Sequence, residues 1–122
     1  MIRDPGAGFL PVRPGGAEPI NDDSFDEDIA RPGNVYVEFW TARCAGCRRL
    51  APWLEELVRE EGGTVCTVDI ELEPECARRA AITVAPTVVL YRGGVEVGRL
   101  EGGIGHADLV DFVRSAPRRP GV

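Results

Sequence analysis

The chain has 122 residues, 43% of them apolar and 28% charged, which is one domain's length and enough to bury a core without disulfide staples. Its 20 acids against 14 arginines, with no lysine, leave a net charge of −6. That balance excludes nucleic acid and anionic membrane surfaces as expected partners, because phosphate binding needs a basic face. No stretch approaches the ~18 consecutive apolar residues of a membrane span, and four cysteines are too few and too irregularly spaced for a disulfide scaffold.

Residues 1–16, MIRDPGAGFLPVRPGG, carry glycines and prolines without an apolar period and read as a flexible arm. The same stretch lacks the unbroken apolar region of a secretory signal, so a cytoplasmic protein is the expectation. In NDDSFDEDIARPG, an Asp or Ser can cap a short helix with Phe25 and Ile29 on one face, and Pro32-Gly33 stops it. Asn34 to Trp40, NVYVEFW, is β-branched and aromatic, as suits a strand buried on both faces. Glu38, in its middle, is the anomaly.

From Arg48 to Glu61, the residues Leu50, Trp53, Leu54, Leu57 and Val58 recur at helical spacing. Pro52 should kink this helix and Gly62-Gly63 end it. Thr64 to Ile70 is a second strand, and EPECARRAA a short helix starting near Pro74. Pro86 to Arg92 and VEVGRLEG read as two strands joined by a Gly93-Gly94 hairpin. A last helix runs from about His106 to Ser115. Strand–helix–strand steps imply parallel pairs, and the hairpin adds an antiparallel edge. The expectation is an α/β fold over 17–116, a central mixed β-sheet flanked by helices on both faces, with 117–122 as a tail.

The segment TARCAGCRRLAPW, Thr41 to Trp53, places Cys44 and Cys47 where a buried strand gives way to a helix. A helix N-terminus presents unpaired N–H groups and partial positive charge, so a thiol there ionises more easily. With a pKa near 8.5, about 3% of a cysteine is thiolate at pH 7, and at pKa ~7 about half is. Arg43, Arg48 and Arg49 push the same way, screened by salt. Two intervening residues let both sulfurs share the first turn, close enough to close a disulfide. Cys44 should be the exposed attacking thiolate and Cys47 the more buried resolving thiol, acting by thiol–disulfide exchange.

FW before the motif, LAPWLEEL after it and VAPTVVLYRGGVEVGRLEGG downstream together resemble thioredoxin, over about Asn21 to Ser115. The resemblance implies the thioredoxin fold and a protein-disulfide oxidoreductase, with Cys44 as nucleophile and Cys47 as resolving thiol. It matches Pro86 to the family's cis-proline, whose loop, with Ala85, offers backbone to an extended substrate; a trans proline opening an edge strand is the alternative. Glu38 matches the buried acid beneath the resolving cysteine, where a raised pKa would let it take the Cys47 proton; leaning out to solvent is the alternative. Gly102 matches a glycine of the substrate groove, and Trp40 a tryptophan packed beside the active site. The resemblance further implies no cofactor beyond the redox-active pair, no metal, and a role in electron transport and cell redox homeostasis. As partners it implies disulfide-containing proteins and a thioredoxin-reductase-type flavoprotein donor. A monomer is expected.

The motif departs from the family's Trp-Cys-Gly-Pro-Cys. Arg43 replaces the exposed aromatic, which should weaken apolar peptide binding and favour a different target set. Ala45 and Gly46 fill the two central positions, and Gly46 in place of Pro loosens the start of the helix. The lysine that usually accompanies the buried acid is missing. Cys66, mid-strand, and Cys76, on a helix beside Arg78 and Arg79, read as two small semi-buried thiols, with an accessory thiol or regulatory disulfide at Cys76 as the alternative. His106 reads as a polar surface residue at a helix start. Two rival functions remain open from sequence: a thioredoxin-fold binding or chaperone adaptor with an incidental CxxC, and a metal- or cluster-binding CxxC protein.

Overall fold

A computed structural model describes residues 17–117. Its elements in chain order are β1 (Glu18–Pro19), α1 (Phe25–Ile29), β2 (Asn34–Trp40), α2 (Ala45–Glu61), β3 (Thr64–Asp69), α3 (Pro74–Arg79), β4 (Thr87–Arg92), β5 (Val95–Glu101) and α4 (His106–Arg114). The strands form one five-stranded sheet in the order β1-β3-β2-β4-β5. β1, β3 and β2 run parallel, while β4 and β5 pair antiparallel. The expected arm, 1–16, lies outside the described residues, as does the tail beyond Pro117.

Both faces of the sheet are covered, and the alternation of side chains along each strand sorts the core into two layers. On β2, Val35, Val37 and Phe39 point to one face, where they join Phe25 and Ile29 of α1, Cys66 and Val68 of β3, and Cys76 of α3. Tyr36 points to the other face, where it joins Leu50, Leu54, Leu57 and Val58 of α2 and Leu109 and Val113 of α4. A strand buried on both sides has no polar face to show, which is why NVYVEFW reads as a continuous apolar run. The mixed α/β architecture with helices on both faces is the one expected from sequence.

Three local details differ from the sequence reading. β1 was not expected: its two residues, Glu18 and Pro19, have no apolar alternation and become a strand only by pairing with Cys66 and Thr67 of β3. Ser24 occupies the N-cap of α1 but makes no side-chain cap. The Asn21 carboxamide instead accepts the N–H groups of Asp23 and Ser24, each at 2.9 Å. α2 begins three residues before Arg48, because its first turn, Ala45-Gly46-Cys47, carries no apolar period to announce it. The β4–β5 hairpin turns on Gly93 and Gly94, both at positive φ (61° and 81°), the geometry in which two glycines match the twist of the flanking strands.

Candidate active site

The site is built where β2 ends. Its last residue, Trp40, is followed by a turn, and Cys44 sits in extended backbone as the N-cap of α2. The capping group is the sulfur itself: Cys44 Sγ accepts the Cys47 N–H at 3.1 Å. A helix start leaves its first N–H groups without intrahelical partners, and here one of them points at the reactive atom. Cys44 and Cys47 are joined as a disulfide with Cα atoms 5.3 Å apart. The two sulfurs are not equivalent. Cys44 is partly exposed, whereas Cys47 is only 3% exposed.

Two further segments close on the pair. The loop before β4 brings the cis Ala85–Pro86 peptide against the first turn of α2, so close that a Cβ on Gly46 would lie 3.8 Å from Pro86 Cδ. Thr87, fully buried, donates its hydroxyl to the Val84 carbonyl at 2.7 Å and holds that loop's curvature. Beyond β5, the Gly102 N–H donates to the Pro86 carbonyl at 2.9 Å. Gly102 has φ +81° and nothing within 4 Å of where a Cβ would stand, so its open side faces the groove.

The resulting groove has a volume of about 510 Å³. It unites Cys44, Gly46, Ala85, Pro86 and Gly102, all expected at the site from sequence, with Arg49 and Trp53, read there only as a flanking charge and a core residue, and with the loop residues Val84, Gly103, Ile104 and Gly105. Arg49 and Trp53 are four apart on α2, hence on one face one turn from each other. That spacing was visible in the sequence, but Trp53 was assigned to the core stripe. It is partly exposed, and its ring meets that of His106 edge-on with centroids 4.9 Å apart. His106 is therefore not only a surface residue at a helix start.

Two expected substrate-face residues do not line the groove. Arg43 points out, its side chain 83% exposed, and pairs with Glu71. Ala45 is exposed on the helix's first turn but outside the lining. Glu38 is 2% exposed. By alternation it shares the face of β2 that carries Tyr36, the face α2 covers, so the carboxyl lies on the Cys47 side of the sheet.

Cys66 and Cys76 are fully buried in the opposite core layer, 0% exposed rather than semi-buried. Burial pushes the Cys66 thiol up to about 11. Burial first, and then the Asp22 carboxylate beside it, push Cys76 to about 12. Neither is placed to exchange with Cys44. A larger cavity of about 590 Å³ lies at the other end of β2, lined by residues such as Asn34, Tyr36, Gly63 and Arg92. It contains no cysteine, and its size does not make it the reaction centre. Among the described residues no group of three or more His, Cys, Asp or Glu is arranged to hold a metal ion.

A disulfide pair capping a helix, with one sulfur partly exposed at a groove and its partner buried, on a mixed α/β sheet, defines a thiol–disulfide exchange protein. The thioredoxin family model matches residues 16–115. Thioredoxin of Mycolicibacterium smegmatis is 35% identical over 96 residues, covering 75% of this chain and 86% of that protein. The bifunctional thioredoxin reductase/thioredoxin of Mycobacterium leprae is 36% identical over 94 residues, 75% of this chain but only 20% of its own length. A solved structure of Plasmodium falciparum thioredoxin aligns with a TM-score of 0.76 at 25% identity, over 83% of this chain and 100% of that one. The chain belongs to the thioredoxin family. It is a thioredoxin-like dithiol–disulfide oxidoreductase.

Proposed function

We propose that the protein works as a reductant of protein disulfides in the cytoplasm, with Cys44 as nucleophile, Cys47 as resolving thiol and Glu38 as the acceptor of the Cys47 proton. The observation that carries the assignment is the asymmetry of the pair: the exposed sulfur faces the groove and accepts a helix N–H, while the other is 3% exposed.

In the reduced protein the Cys44 thiolate attacks one sulfur of the substrate disulfide. One S–S bond forms, one breaks, and the substrate's other sulfur leaves as a thiolate. Cys47 gives its proton to Glu38 and attacks Cys44 Sγ, which closes the Cys44–Cys47 disulfide and expels the second substrate sulfur as a thiolate. Two electrons pass to the substrate and the pair is left oxidised. Glu38 suits the proton step by its place in a buried strand on the side of the sheet that α2 covers. The Ala85–Pro86 loop and Gly102 form the walls along which an extended chain would lie, and no side chain of Gly46 or Gly102 blocks the approach.

Restoring the dithiol requires an outside two-electron donor. A thioredoxin-reductase-type flavoprotein is the reading that the family supports, and in the M. leprae relative the two names belong to one protein. Cytoplasmic placement and a part in cellular redox homeostasis agree with two buried cysteines held as free thiols. No helix among the described residues is long and apolar enough to cross a membrane.

The deciding measurement equilibrates the protein with glutathione buffers of graded poise and reads the pair by alkylation and mass shift. A two-electron couple near or below about −250 mV is expected for a reductant. A couple at about −200 mV or above would make the protein an oxidant or isomerase and overturn the direction proposed.

A further inference from the structure

We propose that Arg49, with Trp53 beside it, is a specificity subsite that selects disulfides flanked by acidic residues. The inference rests on the oxidoreductase reading and adds the class of substrate that the groove prefers.

Arg49 and Cys44 line the same groove. The three arginines around the motif are held differently. Arg43 is neutralised by Glu71 and points away from the groove. Arg48 donates to the Ala42 carbonyl at 2.9 Å. Arg49 makes neither a hydrogen bond nor an ion pair with any described residue, and it is exposed. Most arginines elsewhere are engaged: Arg31 by Glu18 and Asp28, Arg79 by Asp26, Arg99 by Glu96 and Glu101, Arg114 by Glu61. In a chain of net charge −6, an arginine left without an acid beside the reactive sulfur is a local reversal of sign.

No acid lines the groove, and the acids next in sequence or pairing to its lining are engaged elsewhere. Glu71 is tied to Arg43 and Glu101 to Arg99. Asp108 is turned back onto the Gly105 N–H, 3.3 Å from its carboxylate. His106 meets Trp53 edge-on and adds no negative charge. Trp53 supplies a flat apolar wall one helical turn beyond Arg49. An unpaired guanidinium at the edge of an apolar wall suits a carboxylate on an extended chain bound in the groove, because its planar fork can donate two N–H bonds to one carboxylate.

The test uses prereduced protein in single-turnover reduction of two synthetic peptide disulfides, identical except for Asp or Lys next to the cysteine. Each rate is divided by that with dithiothreitol to remove intrinsic reactivity. At an ionic strength of about 10 mM the wild type should prefer the acidic peptide by about three- to fivefold, the size of a close charge pair in water. The preference should fall towards one at about 1 M salt. Arg49→Glu should abolish or invert it. Arg59→Glu, the same change of net charge in the last turn of α2, should keep it. Equal rates for the two peptides in the wild type, or an equal response to Arg49→Glu and Arg59→Glu, overturn the subsite. The uncharged bis(2-hydroxyethyl) disulfide separates the two levels of the claim. Turnover of that probe with no peptide preference sinks the subsite alone, whereas no Cys44-dependent turnover sinks the oxidoreductase reading and the subsite with it.

Discussion

Four cysteines of one chemistry have two fates here, and placement decides which. Cys44 has a helix N–H on its sulfur and a groove in front of it, while Cys66 and Cys76 sit at 0% exposure in a core layer on the other face of the sheet. With its thiol raised to about 11 by burial, Cys66 is about a thousandth thiolate at pH 8. In the reduced native protein, iodoacetamide should therefore label Cys44 first, and Cys66 and Cys76 only after unfolding. Rapid labelling of Cys76 in the native state would instead make it an accessory thiol. Its burial argues against that, and Asp22, whose carboxylate accepts the Cys76 backbone N–H at 2.8 Å, ties the start of α3 to the segment before α1. Cys44→Ser should lower disulfide exchange to the rate of buffer alone, and Cys47→Ser should stall at the mixed disulfide.

At the scale of the element, glycine means opposite things at the two ends of α2. Gly46 lies in the first turn, is not at positive φ, and a Cβ there would meet Pro86 Cδ at an ordinary 3.8 Å. Gly46→Ala should raise stability by about 0.4–1 kcal/mol, chiefly by restricting the unfolded chain. Gly63 follows the helix at φ 131°, and a Cβ there would stand 2.9 Å from the Asn34 carbonyl oxygen and 3.2 Å from the Tyr36 ring. Backbone cannot yield as a flexible side chain does, so Gly63→Ala should cost about 1–3 kcal/mol. Urea midpoints of the two variants against wild type check both signs. The same helix carries Pro52 inside it and still runs 17 residues, because its apolar stripe is anchored by Leu50, Leu54, Leu57 and Val58 against the sheet.

For the whole molecule, the buried thiols and phenols set an alkaline limit. Burial raises Cys66 from 9.0 to about 11 and Cys76 from 9.0 to about 12. It also raises Tyr36 and Tyr91 from 10.0 to about 12. Between the unfolded and folded values, the native state holds protons that the unfolded chain has lost. Stability from these groups is thus fully present below about pH 9 and falls as pH climbs towards 11 and 12. The urea midpoint should drop from about pH 9 upwards. A midpoint unchanged to about pH 11 would mean that the thiols and phenols are not insulated from water.

The sequence by itself determined the order of the main elements, the mixed sheet and the reactive pair. Each of these rests on local signals: β-branched and aromatic runs, an apolar period of 3.6, glycine pairs at turns, and two cysteines at the start of a helix. It also singled out Glu38 as a buried acid, since one acid in a doubly buried strand is conspicuous. β1 was invisible because a two-residue strand has no period, and Glu18-Pro19 is a strand only while β3 lies beside it. Tertiary structure alone decided which residues share the groove. Arg43 adjoins Cys44 in sequence yet turns to Glu71, while Ile104 and Gly105, far along the chain, stand over the sulfur's groove. Sequence spacing fixes a side chain's direction only within one element. What faces Cys44 across a gap depends on how the loop before β4 and the loop after β5 pack against α2, and those distances are set by the core between them.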